Sequence, residues 1–174
     1  MGALYDFHCP VCDGKRQEPD IPWMPFERGT PLGCGLSYPY VCKNIYEDIR
    51  KGRLGVDAQK ALRRMLKPAI YHSADVFVCE SCKKWKAADN IKICRLKPGK
   101  SDRGSALDRE RDAQAGPRLK PLCYLDREIY HVVWENTHTC AHCGGRMHPQ
   151  PRAENLTCNR CGSPLEISVV GHWD

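Results

Sequence analysis

Four Cys-x-x-Cys pairs constrain this 174-residue chain more than any other feature of its sequence. The pairs are Cys9/Cys12, Cys79/Cys82, Cys140/Cys143 and Cys158/Cys161. Two thiolates separated by two residues can point at one ion while the backbone between them turns toward the sulfurs, so each pair is half of a tetrahedral four-cysteine site. Four halves predict two sites and two zinc ions per chain. Because four cysteines fill every coordination position, we expect the metal to be structural.

The composition favours a small fold that depends on metal for part of its stability. Aromatic residues make up 8% of the chain and the mean hydropathy is -0.57, so the apolar core is modest for this length. Residues 1–8 lack the basic and apolar regions of a signal peptide, and no stretch approaches the roughly 20 apolar residues of a membrane-spanning helix. We therefore expect a cytoplasmic protein without membrane contact, whose thiols bind metal and do not form disulfides.

The net charge of +6 comes from one segment, residues 50–67, which we call the basic segment. It holds one acid, Asp57, and seven cations, whereas residues 98–174 hold as many acids as cations. The cations are Arg50, Lys51, Arg53, Lys60, Arg63, Arg64 and Lys67. Such a segment predicts a surface for the phosphates of DNA or RNA. An acidic protein surface is the alternative partner, and a merely solvated helix face would give the same pattern.

Apolar periodicity predicts a helical hairpin at about residues 38–67. In the first helix Cys42, Ile45, Tyr46 and Ile49 recur at helical spacing, with Gly52 as a stop signal. The second helix is predicted from about residue 57 to residue 67, before Pro68. Its predicted apolar face consists of Ala58, Ala61, Leu62, Met65 and Leu66.

Strands are predicted around the cysteine pairs, where β-branched and aromatic residues concentrate. The predicted strands cover residues 4–7, a hairpin over residues 69–96, residues 130–134 and residues 165–170. Residues 14–36 are rich in proline and glycine and predict an irregular connection. Residues 98–118 lack apolar periodicity, so we expect an exposed loop that marks a domain boundary.

Two assignments of the cysteine pairs fit the sequence. In the favoured one, Cys9/Cys12 joins Cys79/Cys82 across the helical hairpin, and Cys140/Cys143 joins Cys158/Cys161. In the alternative, ligands follow chain order and bind three zinc ions, with Cys34, Cys42, Cys94 and Cys123 as additional ligands. The positions of the four additional cysteines favour two sites, because Cys42 lies on the apolar helix face and Cys94 and Cys123 lie in apolar strands.

The last two pairs are followed by glycine, as Cys143-Gly144 and Cys161-Gly162, and resemble the knuckles of zinc-ribbon families, which read Cys-Pro-x-Cys-Gly. The layout of the whole chain resembles small, largely uncharacterised bacterial double zinc-ribbon proteins. That resemblance covers the knuckles and the stretch from Gly33 to Pro39, and it implies a fold and no activity. It predicts a small metal-stabilised α+β protein of two four-cysteine zinc ribbons, the first (1–97) containing the helical hairpin, the second (119–174) following the linker 98–118.

Signatures of enzymes are missing from the sequence. It contains no His-Glu-x-x-His and no deaminase motif, and Cys9-Pro10-Val11-Cys12 precedes a loop, not the helix that a redox pair needs. We therefore predict a non-enzymatic zinc-binding protein that binds nucleic acid through the basic segment, with Trp85 and its neighbouring lysines available for stacking on bases. The alternative is a protein-interaction adaptor or inhibitor that docks on a larger assembly.

Overall fold

The structure, a computed structural model, describes residues 2–12, 38–102, 106–115, 118–122, 125–150 and 155–173. These ranges contain the helices α1 (Tyr38–Arg50), α2 (Val56–Arg63) and α3 (Ala106–Ala115). They also contain the strands β1 (Gly2–His8), β2 (Ala69–Cys79), β3 (Trp85–Leu96), β4 (Lys120–Leu122), β5 (Tyr130–Glu135), β6 (His138–Thr139), β7 (Arg146–Gln150) and β8 (Glu166–Trp173). The protein is thus a small α+β protein in which strands predominate. The predicted connection at residues 14–36 lies outside the described residues.

Strand pairing brings distant parts of the chain together. β1 and β8 form a two-stranded antiparallel sheet, with His8 opposite Glu166. The other sheet has the strand order β5-β3-β2-β7-β6, and β4 pairs in parallel with β2. β2 and β7 are antiparallel, so that Cys79 lies opposite Met147. In the β1–β8 and β2–β7 pairs, a strand that leads into a cysteine pair is matched with a strand next to another cysteine pair.

The described residues form two compact units that alternate along the sequence. Unit 1 comprises the described parts of Met1–Thr30, Ala74–Asp89 and Thr137–Asp174. Unit 2 comprises those of Pro31–Ser73 and Asn90–Asn136. This division differs from the contiguous domains predicted from the sequence, because strand partners in each unit come from segments far apart in the chain.

Unit 2 is built on the two predicted helices α1 and α2. Cys42 and Ile49 of α1 are fully buried, and Gly52 ends the first helix with a left-handed backbone, φ 78°. The helices pack their apolar faces on the sheet side chains Ile70 and Ile93. The 3.6-residue periodicity therefore located both helices, with the buried face of α1 and the part of the α2 face that contains Ala58, Ala61 and Leu62.

The second helix is shorter than predicted and ends at Arg63. Its predicted apolar face continues to Leu66, but that side chain is 101% exposed. Pro68 disfavours helical backbone in the residue before it. The helix already ends at its C-cap Arg64, four residues before the proline. Leu66 therefore lies on the surface, next to Lys67 in the sequence.

The predicted loop at residues 98–118 contains a helix, α3. The sequence of this region has no apolar periodicity, which is why the pattern missed the helix, and ion pairs attach the region to the rest of unit 2. Lys120 Nζ lies 2.7 Å from Asp102 and 3.0 Å from Asp112. Tyr130 Oη donates a hydrogen bond of 2.6 Å to Asp102. At the end of α3, Ala115 packs against the helical core.

Unit 1 has a small aromatic core. Phe7, Val76, Trp85 and Leu156 are buried together, and the rings of Phe7 and Trp85 lie 5.2 Å apart. Trp85 is only 6% exposed and its indole N–H donates to the Thr157 carbonyl. The prediction that Trp85 stacks on nucleic-acid bases is therefore wrong, since its ring is part of the core. Among the residues that the structure describes, no helix combines the length and hydropathy needed to cross a membrane.

Candidate metal centres

The eight paired cysteines form two groups, each able to hold a metal ion. We name them by their order in the sequence. The outer site consists of Cys9, Cys12, Cys158 and Cys161, and the inner site of Cys79, Cys82, Cys140 and Cys143. In each group the four sulfurs lie within 4.8 Å of one another. Both sites belong to unit 1.

The predicted pairing of the cysteines is wrong at both sites. Cys9/Cys12 meets the last pair of the chain, not Cys79/Cys82, and the two middle pairs meet each other. The β1–β8 and β2–β7 pairings set this nested arrangement. Sequence separation was a weak guide because the entropy of closing a loop grows only with the logarithm of its length. The predicted insertion of the helical hairpin into a ribbon of the first two pairs is therefore not formed.

The chain-order alternative with three zinc ions is also wrong for the cysteines that the structure describes. Cys42 is buried in the helical core, where its thiol lies 3.8 Å from the Ile70 carbonyl. Burial raises the pKa of the Cys94 thiol to about 12, which disfavours the thiolate that a metal needs. Both behave as small apolar side chains, as their positions in the sequence indicated. Cys34 and Cys123 lie outside the described residues.

Each cysteine pair that can be followed past its second cysteine has the same hydrogen-bonded turn, called a knuckle below. The N–H of the first cysteine donates to the carbonyl five residues later: Cys79 to Lys84, Cys140 to Gly145 and Cys158 to Ser163, at 2.7–2.8 Å. The residue after the second cysteine is left-handed in all three, with φ 60° at Lys83, 71° at Gly144 and 78° at Gly162. The predicted role of glycine is confirmed at Gly144 and Gly162.

The distances between sulfurs fit a tetrahedral ion. In the outer site Cys9 and Cys161 are 3.5 Å apart and Cys12 and Cys158 are 3.7 Å apart. In the inner site the separations are 3.4 Å for Cys79 and Cys143 and 3.6 Å for Cys82 and Cys140. A tetrahedron with metal–sulfur bonds of about 2.3 Å has edges of about 3.8 Å, whereas a disulfide requires about 2.05 Å. The donor set is therefore suited to zinc or another thiophilic ion.

Backbone N–H groups favour thiolates in both sites. The N–H of Cys82 donates to the Cys79 sulfur and lowers its pKa to about 6, against the effect of burial. Burial raises the pKa of Cys158, but the N–H groups of Cys161 and Arg160 outweigh it and lower that pKa to about 6. Turning backbone amides toward sulfur is what a knuckle does before any ion is bound.

One thiol in each site has a raised pKa, which favours its protonated form. A hydrogen bond with Cys161, together with burial, raises the pKa of Cys12 to about 12. The Gly145 N–H lowers the pKa of Cys143, but hydrogen bonds with Cys79 and Cys82 outweigh it and raise the value to about 12. An ion bound by all four sulfurs would displace these protons, so metal binding is coupled to proton release.

Gly145 is a functional residue that the sequence did not reveal. A Cβ at this position would lie 2.9 Å from Ser81 Oγ and 3.2 Å from the sulfurs of both Cys79 and Cys143. Only glycine fits without a shift of the inner site. The doubled glycine after Cys143 was the available signal, and only the first of the two was interpreted.

Asn159 is the second residue that the sequence did not reveal. It lies between the cysteines of the last knuckle, and its side chain makes two hydrogen bonds to the backbone of Trp85. Trp85 N–H donates to Asn159 Oδ1 at 2.9 Å, and Asn159 Nδ2 donates to the Trp85 carbonyl at 2.8 Å. Lys84 Nζ donates to the Asn159 carbonyl at 2.9 Å. The outer site is thus tied to the residues that follow the inner knuckle.

The basic segment lies in unit 2 and is partly neutralised there. Four of its cations have acidic neighbours: Arg50 with Glu47 at 2.9 Å, Arg53 with Asp48 at 2.7 Å, Lys60 with Asp57 at 3.7 Å and Lys67 with Asp112 at 4.0 Å. Within the described part of the chain, the other three have no ion pair; they are Lys51, Arg63 and Arg64. Three of these acidic partners, Glu47, Asp48 and Asp112, lie outside residues 50–67. A charge count restricted to that segment therefore overstated its free positive charge.

Comparison of the chain with protein-family models, with curated proteins and with solved structures finds no match. The zinc-ribbon resemblance therefore rests on the motifs of the sequence alone.

Proposed function

We propose that this protein is a non-enzymatic zinc-binding module that uses its metal sites for stability and the cations of unit 2 to bind nucleic acid. The observation that carries the first part is the geometry of the two four-cysteine groups, whose sulfurs match the edges of a tetrahedron around zinc. Four thiolates leave no position for a substrate or a catalytic water, which supports a structural role for the metal.

The exposed cations Arg63 and Arg64 support the nucleic-acid part of the proposal. Both are exposed at the end of α2, and neither has an acidic neighbour among the described residues. Unpaired arginines can neutralise phosphates and release their counterions without first breaking an ion pair. The resulting footprint is smaller than the seven cations of the basic segment, and it predicts weak, salt-dependent binding without sequence preference.

Fluorescence anisotropy with labelled duplex DNA and structured RNA tests this proposal. The variant Arg63→Glu/Arg64→Glu should weaken binding at least tenfold and reduce the slope of log affinity against log salt by about 2. Arg50→Glu/Arg53→Glu is the matched control, because it changes the net charge equally at arginines that already have partners. Equal losses in the two variants, or none in the first, would contradict binding by Arg63 and Arg64.

A protein partner is the second candidate, and Leu66 favours it. This side chain is fully exposed beside the cation Lys67 and two residues after Arg64. A phosphate backbone offers leucine no apolar pocket, whereas an acidic protein surface can offer both an apolar pocket and charge. The variant Leu66→Ser separates the candidates: loss of a stoichiometric protein complex with unchanged nucleic-acid binding would support the adaptor role, and weakened binding to both would count against it.

A further inference from the structure

We propose that the two metal sites load cooperatively, and that Asn159 transmits the coupling between them. This inference rests on the metal-binding part of the proposed function and not on its nucleic-acid part. It concerns contacts within unit 1, where every residue of both sites is found.

The coupling begins at the inner knuckle. The N–H of Cys79 donates to the Lys84 carbonyl at 2.8 Å, and the N–H of Lys83 donates to the Cys79 carbonyl at 3.1 Å. The position of Lys84 and Trp85 is therefore fixed by closure of this knuckle. A metal ion on Cys79 and Cys82 stabilises the closed knuckle, because it holds both sulfurs in one geometry.

Asn159 contacts the backbone of Trp85, whose position depends on closure of the inner knuckle. Its amide oxygen and nitrogen bind the N–H and carbonyl of the same residue, Trp85, as a neighbouring strand would. Lys84 adds a third hydrogen bond to the Asn159 carbonyl, and the Trp85 indole adds a fourth to the Thr157 carbonyl. These contacts hold the residues on either side of Cys158, which is itself buried.

The coupling is positive because these contacts restrict the conformations of the last knuckle. When the inner site is filled, the partners of Asn159 are already in place, so the last knuckle loses less conformational entropy when the outer site closes. The relation is reciprocal, because coupling between two binding equilibria acts equally in both directions. Each metal ion therefore favours binding of the other.

Native mass spectrometry at one equivalent of Zn²⁺ per chain tests the proposal on the intact protein. Two equal and independent sites would leave about half of the chains with one ion. We expect the singly loaded fraction to be well below half in the wild type and to rise to about half in Asn159→Ala. Asn136→Ala is the matched control, because Asn136 makes a side-chain hydrogen bond to the backbone of Ile91 within unit 2 and belongs to neither metal site.

The outcomes separate this inference from the proposed function. If the wild type binds two ions but all three proteins contain the same singly loaded fraction, the coupling through Asn159 is wrong while the metal sites remain. If the wild type binds no Zn²⁺, the proposed function itself fails. A second measurement uses release to a chelator from fully loaded protein: loss of the second ion should be faster than loss of the first in the wild type, and Asn159→Ala should reduce that difference at least severalfold. An unchanged difference would also contradict the role of Asn159.

Discussion

Gly145 determines how closely the backbone approaches the inner site. In Gly145→Ala, the new methyl group would press on Ser81 Oγ at 2.9 Å and on two ligand sulfurs at 3.2 Å. Relief of that overlap requires a shift of the ligands, so we expect the inner site to bind zinc about tenfold or more weakly. Competition with a chromophoric chelator should then detect one tight and one weakened ion per chain.

Gly144→Ala is the control for this substitution. Apart from its two chain neighbours, no described residue has an atom within 4 Å of a Cβ at Gly144, but its φ of 71° strains any other residue. We therefore expect a stability cost of about 1–2 kcal/mol with little change in the affinity of the inner site. Equal zinc affinities in Gly145→Ala and the wild type would contradict the close approach at Gly145.

Lys83 occupies the position that glycine takes in the two other described knuckles. Its φ of 60° costs about 1–2 kcal/mol in a residue with a side chain, and glycine would recover this while losing about 0.5–1 kcal/mol through chain entropy. Lys83→Gly should thus stabilise the metal-loaded protein by roughly 0.5–1 kcal/mol in denaturant unfolding. Lys86→Gly, at an exposed position of β3, should destabilise it; stabilisation by both or by neither would contradict the prediction.

At the scale of elements, the ion-pair cluster of Asp102, Asp112 and Lys120 holds the region of α3 on unit 2. Asp102→Asn removes the carboxylate that lies 2.7 Å from Lys120 and 2.6 Å from Tyr130 Oη. Because the group is partly exposed, we expect a loss of only about 1 kcal/mol in the free energy of unfolding. Asp57→Asn, at a side chain that is 85% exposed, should change stability by less than about 0.5 kcal/mol.

The effect of Asp102→Asn should depend on pH. Partial burial raises the pKa of Asp102, but hydrogen bonds from Lys120 and Tyr130 outweigh it and lower the value below the ordinary 3.8. A lowered folded-state pKa gives stabilisation that is present above the unfolded-state value and lost as pH falls through the folded-state value. The stability difference between the wild type and Asp102→Asn should therefore be largest near neutral pH and disappear under strongly acidic conditions. A difference that persists there would contradict the ionic explanation.

Sequence patterns located the elements that bury an apolar face and missed those held by charge. α1 and α2 were predictable because Cys42 and Ile49 fall on one face of α1, and Ala58 and Leu62 on one face of α2. α3 was not, because its attachment depends on Lys120, which follows it in the chain. Sequence patterns also misplaced Trp85. Its neighbouring lysines indicated a surface residue, whereas contacts with Phe7 and Thr157 place its ring in the core.

At the scale of the whole molecule, the cysteines were predictable as ligands but not as partners. Their spacing identifies Cys-x-x-Cys knuckles from local geometry alone. Which knuckles share an ion depends on long-range strand pairing, and the register of β1 with β8 leaves little trace in the sequence. The roles of Gly145 and Asn159 were not predicted for the same reason. Each residue contacts a segment that is distant in the sequence: Gly145 lies against Ser81 and Cys79, and Asn159 binds the backbone of Trp85.

The nested pairing of the four knuckles is the central claim, and metal stoichiometry of combined cysteine variants tests it most directly. Cys9→Ser/Cys12→Ser and Cys158→Ser/Cys161→Ser should each lose one of the two ions, and their combination should still bind one, because all four residues belong to the outer site. Cys9→Ser/Cys12→Ser combined with Cys79→Ser/Cys82→Ser should bind none. Cobalt absorbance of the tetrahedral thiolate sites reports retention in each variant. One ion in the second combination and none in the first would contradict the nested pairing and restore the chain-adjacent one.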